Sequence, residues 1–144
     1  MRLIHKVSLC VLVALSVGLL AGCGSRVEAG TPAAAVQSLL ELRSELSTDS
    51  ARYGSFVETS MATVLAQDAA SLIAKKKSPM PAWETPETTE ESTTSAKVKV
   101  VWKADPKFPD WAESTTFSLS KETGRWMIVD AVSASPSKAA TGTP

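Results

Sequence analysis

One thiol carries the most specific chemistry in this sequence. Cys23 follows Leu20-Ala21-Gly22, and a thiolate is the nucleophile that thioether formation needs. The small side chains of Ala21 and Gly22 let extended backbone enter a peptidase cleft. Upstream, Arg2 and Lys6 place two permanent positive charges ahead of Val7–Leu20, a run without charge. A basic n-region, an apolar h-region and small residues at the junction are the layout of a secretory signal. The run has 14 residues, whereas a membrane-spanning helix needs about 20. It therefore reads as a signal and not as a permanent span.

Leu20-Ala21-Gly22-Cys23 resembles the bacterial lipobox. The resemblance implies that Leu20, Ala21 and Gly22 are read by a signal peptidase and that the chain is cut before Cys23. It further implies a diacylglyceryl group on the Cys23 sulfur and, often, an acyl chain on the new amine. Several acyl chains hold a protein stably where one is marginal, at about 0.8 kcal/mol per buried methylene. The expectation is an exported protein whose first partner is the membrane itself, through the acyl chains on Cys23. By resemblance to enterobacterial lipoproteins, in which an Asp after the cysteine favours inner-membrane retention, Gly24 implies the periplasmic side of the outer membrane if the cell is Gram-negative. In other bacteria the site is the outer face of the plasma membrane.

Cutting there narrows the remaining chemistry. Arg2 and Lys6 leave with residues 1–22, so 13 basic and 15 acidic side chains remain, formally −2. A nucleic-acid partner, which calls for a basic stripe and a high pI, is not expected. His5, the single histidine, and Cys10 also leave with the signal, and lipid consumes Cys23. The mature chain then offers no imidazole and no free thiol. That excludes zinc sites built on His or Cys, Ser-His-Asp and Cys-His catalysis and thioredoxin-like motifs. No cofactor is expected. Without disulfides, a domain of about 100 residues must rely on its own core, which that length allows.

The elements that would position any site follow from the pattern. Residues 23–30 read as a lipidated tether. Thr31-Pro32 opens a helix, with Thr31 as cap and Pro32 at the first helical position, and Val36, Leu39, Leu40 and Leu46 follow at helical spacing. Ser47-Thr48-Asp49-Ser50 breaks it and caps a short second helix through Tyr53, Phe56 and Val57. Thr59 or Ser60 caps a third helix, whose Met61, Val64, Leu65, Leu72 and Ile73 form the cleanest amphipathic stripe. Lys75-Lys76-Lys77 at its end complements the helix dipole, with contact to anionic headgroups as the alternative. Pro79 and Pro81 end the helical half.

Beyond Trp83 the character changes. Val98, Val100 and Trp102 alternate with Lys97, Lys99 and Lys103, a strand with one buried face. Glu84, Glu87, Glu90 and Glu91 read as a solvated loop; their spacing lacks the turn glycine of a calcium loop. A second strand runs from about Trp111 to Ser120, with Phe117 and Leu119 on one face. Lys121-Glu122-Thr123-Gly124-Arg125 fits a three-residue hairpin loop with a bulge, pairing Leu119 with Met127 and Phe117 with Val129. A third strand, Arg125 to about Ala134, is apolar on both faces. Residues 135–144 are Ser, Pro, Ala, Thr and Gly with one Lys, and disorder is expected there. The fold class is α+β: N-terminal helices packed on a curved antiparallel meander of three or more strands, within one domain at 31–134.

This arrangement resembles small lipoproteins of the nuclear transport factor two-like superfamily, the cone-shaped α+β fold shared with SnoaL-like and ketosteroid-isomerase-like proteins. Thr31-Pro32-Ala33-Ala34-Ala35-Val36 is similar to the family's Thr-Pro-x-x-Ala-Val helix start. Gly124-Arg125-Trp126-Met127-Ile128-Val129-Asp130 is similar to its closing Gly-Lys-Trp-x-Ile-x-Asp strand. Thr48-Asp49 stands where the family has Gly-Asp. Because enzymes of the family place an acid in the cone's mouth, the resemblance nominates Asp68 and Asp130 as general bases. A buried carboxylate with a raised pKa would suit that role. Tyr53, Trp83, Trp102, Trp111 and Trp126 are candidates to line an apolar pocket or to fill the core.

The sequence thus supports a lipid-anchored, non-enzymatic module that binds an envelope protein or a small apolar ligand. The alternatives are a cone-fold enzyme using Asp68 or Asp130, and a purely structural envelope protein.

Overall fold

The computed structural model describes residues 30–134. The expected signal, the lipobox-like residues Leu20 to Cys23 and the tail from 135 onward lie outside the described residues. Thr31 and Pro32 start α1 (Pro32–Ser44) as their chemistry dictates: Thr31 Oγ1 accepts from the Ala34 amide at 3.2 Å, and the proline occupies the first turn. Leu46 adopts a positive φ of 55° beyond the helix end and does not extend the stripe. Asp49 caps α2 (Ser50–Tyr53) through a side-chain bond from the Ala51 amide at 2.9 Å.

The third helix, α3 (Thr59–Ala74), departs from its sequence pattern twice. Its N-cap is Glu58, not Thr59 or Ser60, and no side chain makes the capping bond. Its buried face is made of alanines. Ala62 and Ala69 are 2% and 3% exposed, whereas Met61, Val64 and Ile73 are 47%, 56% and 50% exposed. A stripe of large apolar residues is the usual inward face. Here the small residues turn inward, because a helix lined by methyl groups can approach its neighbours closely. Arg43 of α1 joins Asp68 of α3 at 3.2 Å. Lys75 is the C-cap and Lys76 takes φ 54°; the three lysines are exposed.

Four antiparallel strands follow: β1 (Glu87–Glu91), β2 (Ser95–Val101), β3 (Ser114–Glu122) and β4 (Arg125–Ala134), in the order β1-β2-β3-β4. The sheet is not closed. The acidic run is therefore not simply a loop, since Glu87, Glu90 and Glu91 lie in edge strand β1, where Glu90 pairs with Lys97 at 3.1 Å. Charges on an edge strand discourage pairing with foreign chains. Ala96, Val98 and Val100 are buried on β2 between exposed neighbours, as the alternation required. β3 begins at Ser114, so Trp111 belongs to the preceding loop.

The β3–β4 hairpin corrects the expected register. Glu122 pairs with Arg125, leaving only Thr123-Gly124 in the loop, with φ values of 49° and 79°. Two positive φ values define the type I′ turn, whose twist matches the strands it joins. Leu119 consequently pairs with Ile128, not Met127. The bulge lies further along, at Val129: Ser118 pairs with Asp130, and Phe117 with Ala131, not Val129. Trp126 and Ile128 turn into the core, and Val129 and Val132 are exposed.

One cluster forms the core. It joins Val36, Leu39 and Leu40 of α1, Tyr53 of α2, Ala62 and Ala66 of α3, and Val98, Val100, Phe117, Leu119, Trp126 and Ile128 of the sheet. The Tyr53 hydroxyl donates to the Leu42 carbonyl at 3.2 Å, which removes the cost of burying it. Among the described residues no buried side-chain nitrogen or oxygen lacks a partner.

Candidate functional site

A groove of about 650 Å³ is lined from α1 by Leu39, Leu40 and Arg43, from α3 by Met61 and Leu65, and from β4 by Met127 to Ala131. Met80, Trp102, Trp111 and Phe117 also contribute to its lining. Two local devices build it. The bulge at Val129 makes successive β4 residues border one space where a regular strand would alternate them. Beside it, the Phe56 carbonyl accepts from the Ile128 amide at 2.7 Å, and Val57 bridges to Ile128. That contact pins the start of α3 to the edge of β4.

Trp102 is fixed from two sides. Its Nε1–H donates to Thr115 Oγ1 at 2.9 Å. Because indole only donates, Thr115 accepts there, and its hydroxyl also shares a hydrogen bond with Ser133 Oγ at 3.0 Å. The Trp102 and Trp111 rings meet edge to face, with centroids 5.5 Å apart, and Phe108 meets Trp111 in the same way at 5.4 Å. Such pairs add about 0.5–1.5 kcal/mol beyond area burial. The aromatic end of the groove is therefore preformed.

The candidate pocket residues separate. Trp102 and Trp111 line the groove. Tyr53 is wholly buried in the core, and burial pushes its phenol above the ordinary value of 10.0, against the opposing pull of Arg43 and Arg52. Trp126 is buried too, with Lys121 Nζ over its ring at 5.3 Å. Trp83 is half-buried and donates from Nε1 to Gln37 Oε1 at 3.0 Å. These three hold the fold and lie outside the groove lining.

Neither proposed base is buried. Asp68 is paired with Arg43, its side chain 48% exposed, and does not line the groove. Asp130 does line it, but as an exposed side chain that accepts from the next amide, Ala131, at 2.9 Å. Among the described residues no group of three His, Cys, Asp or Glu side chains is placed to hold a metal ion. No described helix is long and apolar enough to cross a membrane.

Sequence reasoning missed the methionines. Met61, Met80 and Met127 all line the groove, yet they come from a helix, a proline-rich loop and a strand. No spacing rule connects them. Comparison with protein-family models, with curated proteins and with solved structures finds no match for this chain.

Proposed function

We propose that the protein is an exported lipoprotein, anchored through Cys23, whose domain works by binding a protein or a small apolar ligand in the groove. The groove is the observation that carries this reading: an apolar, largely preformed concavity is the default binding site of a small domain. Anchoring rests on Leu20-Ala21-Gly22-Cys23. In this reading the helices cover one face of the sheet as a half-open cone of the nuclear transport factor two-like type, with the groove as its mouth. The shared core of α1 and β2–β4 supports that shape, as does the placing of Thr31-Pro32 at the start of α1 and of Trp126 to Asp130 in β4.

Two measurements test it. Metabolic labelling with an alkynyl fatty acid marks the wild type and not Cys23→Ala; equal labelling of both refutes anchoring. A neutral alkyl photoprobe, added to the full chain in phosphatidylcholine nanodiscs, labels the groove, and Leu65→Glu reduces that labelling. Indifference to Leu65→Glu refutes binding in the groove.

Asp130 supports a second reading, a cone-fold enzyme with this carboxylate as general base, because it alone of the two candidates borders the groove. Turnover of a groove-bound compound that Asp130→Asn abolishes without loss of binding would establish it.

A further inference from the structure

The groove's charge and its sulfur content specify the occupant more closely. Met61, Met80 and Met127 are the only methionines among the described residues, and all three line this groove. Unbranched, polarizable methionine adapts to side chains of different shape, and is used where a surface must accept varied apolar anchors. Around this apolar floor stand three exposed carboxylates, Glu58, Glu122 and Asp130. The one cation in the lining, Arg43, already donates to Asp68 at 3.2 Å. The rim is therefore net acidic, and an anionic headgroup would meet repulsion where a basic one meets complementary charge.

Resting on the binding reading above, we infer that the groove takes a basic amphipathic helical segment of a protein partner. Its apolar face lies on the methionines and on Trp102, and its Lys or Arg side chains reach Glu58, Glu122 and Asp130. This is the helix-in-groove mode of peptide recognition. Met61 is half-exposed in the free domain, and such a segment would cover it.

The test uses the full chain in phosphatidylcholine nanodiscs, with empty nanodiscs as the blank. The probe is a synthetic Leu/Lys amphipathic peptide carrying benzophenone, which inserts readily into methionine. The comparison probes are the Leu/Glu counterpart and the neutral alkyl photoprobe. The inference expects Leu/Lys adducts on Met61, Met80 or Met127, and none of comparable yield from Leu/Glu. The double variant Glu58→Gln/Asp130→Asn should bind the Leu/Lys peptide about fivefold more weakly, the loss of two exposed ion pairs. Salt at about 1 M, where the screening length is near 3 Å, should weaken wild-type binding in the same direction.

Equal labelling by Leu/Lys and Leu/Glu peptides, or Leu/Lys adducts confined to other faces, overturns the inference. So does a dimer of the chain that buries Met61. Labelling of the groove by the neutral probe alone overturns the peptide assignment and leaves the binding reading standing. Labelling of the groove by no probe overturns both.

Discussion

Ala62 and Val64 provide a pair of substitutions that separates the observed orientation of α3 from the one its sequence pattern suggests. Ala62 is 2% exposed and belongs to the core, whereas Val64, two residues on, is 56% exposed. Replacing Ala62 with Leu forces three further carbons into a filled site, at a cost of about 1–3 kcal/mol. Replacing Val64 with Ser removes a side chain already mostly in water, and such surface changes stay within about 0.5 kcal/mol. For a domain of this size 1 kcal/mol corresponds to about 4–8 °C in Tm. Ala62→Leu should therefore lower Tm by about 4–24 °C, and Val64→Ser should leave it nearly unchanged. Thermal unfolding of the full chain, followed by circular dichroism at 222 nm, reads both. A larger loss for Val64→Ser than for Ala62→Leu would mean that the helix packs through its large residues, and would refute the orientation and the groove it builds.

Tyr53→Phe should cost about 1 kcal/mol at neutral pH, the ordinary value of one hydrogen bond; the Leu42 carbonyl keeps its bond from the Ser47 amide at 3.1 Å. Because burial raises the Tyr53 pKa above 10.0 in the fold, its stabilising contribution is complete below that value and is lost as pH rises through the raised pKa. Wild-type stability should thus fall above pH 10 more steeply than that of Tyr53→Phe, as urea midpoints across pH will show. At the hairpin, Thr123 holds φ 49°, a region that costs a β-branched residue about 1–2 kcal/mol. Thr123→Asn should raise the urea midpoint, and Gly124→Ala should lower it although no atom lies within 4 Å of the added Cβ, since the penalty there is backbone strain alone. Asp68→Asn breaks the exposed pair with Arg43 and should cost less than about 1 kcal/mol, a difference that shrinks as salt is added.

Local chemistry was readable from the residues themselves. Thr31-Pro32 had one good use, the start of a helix, and α1 begins there. The alternation of Val98 and Val100 with lysines fixed which face of β2 is buried. The α+β class followed from helical periods giving way to period two. Tertiary contact decided the rest. Helical spacing shows that α3 has a large-residue face and a small-residue face, but only the neighbours decide which is inward, and close approach selected Ala62, Ala66 and Ala69. The loop Thr123-Gly124 became a two-residue turn because strand twist rewards it, shifting the pairings by one residue as far as Leu119 and, past the bulge at Val129, by two. β1 exists because β2 offers an edge to pair with; Glu87-Thr88-Thr89-Glu90-Glu91 has no apolar pattern of its own. The groove belongs wholly to this second kind of information. Its methionines lie far apart in the chain, and a site built from residues without a common period forms only when the chain brings three elements together.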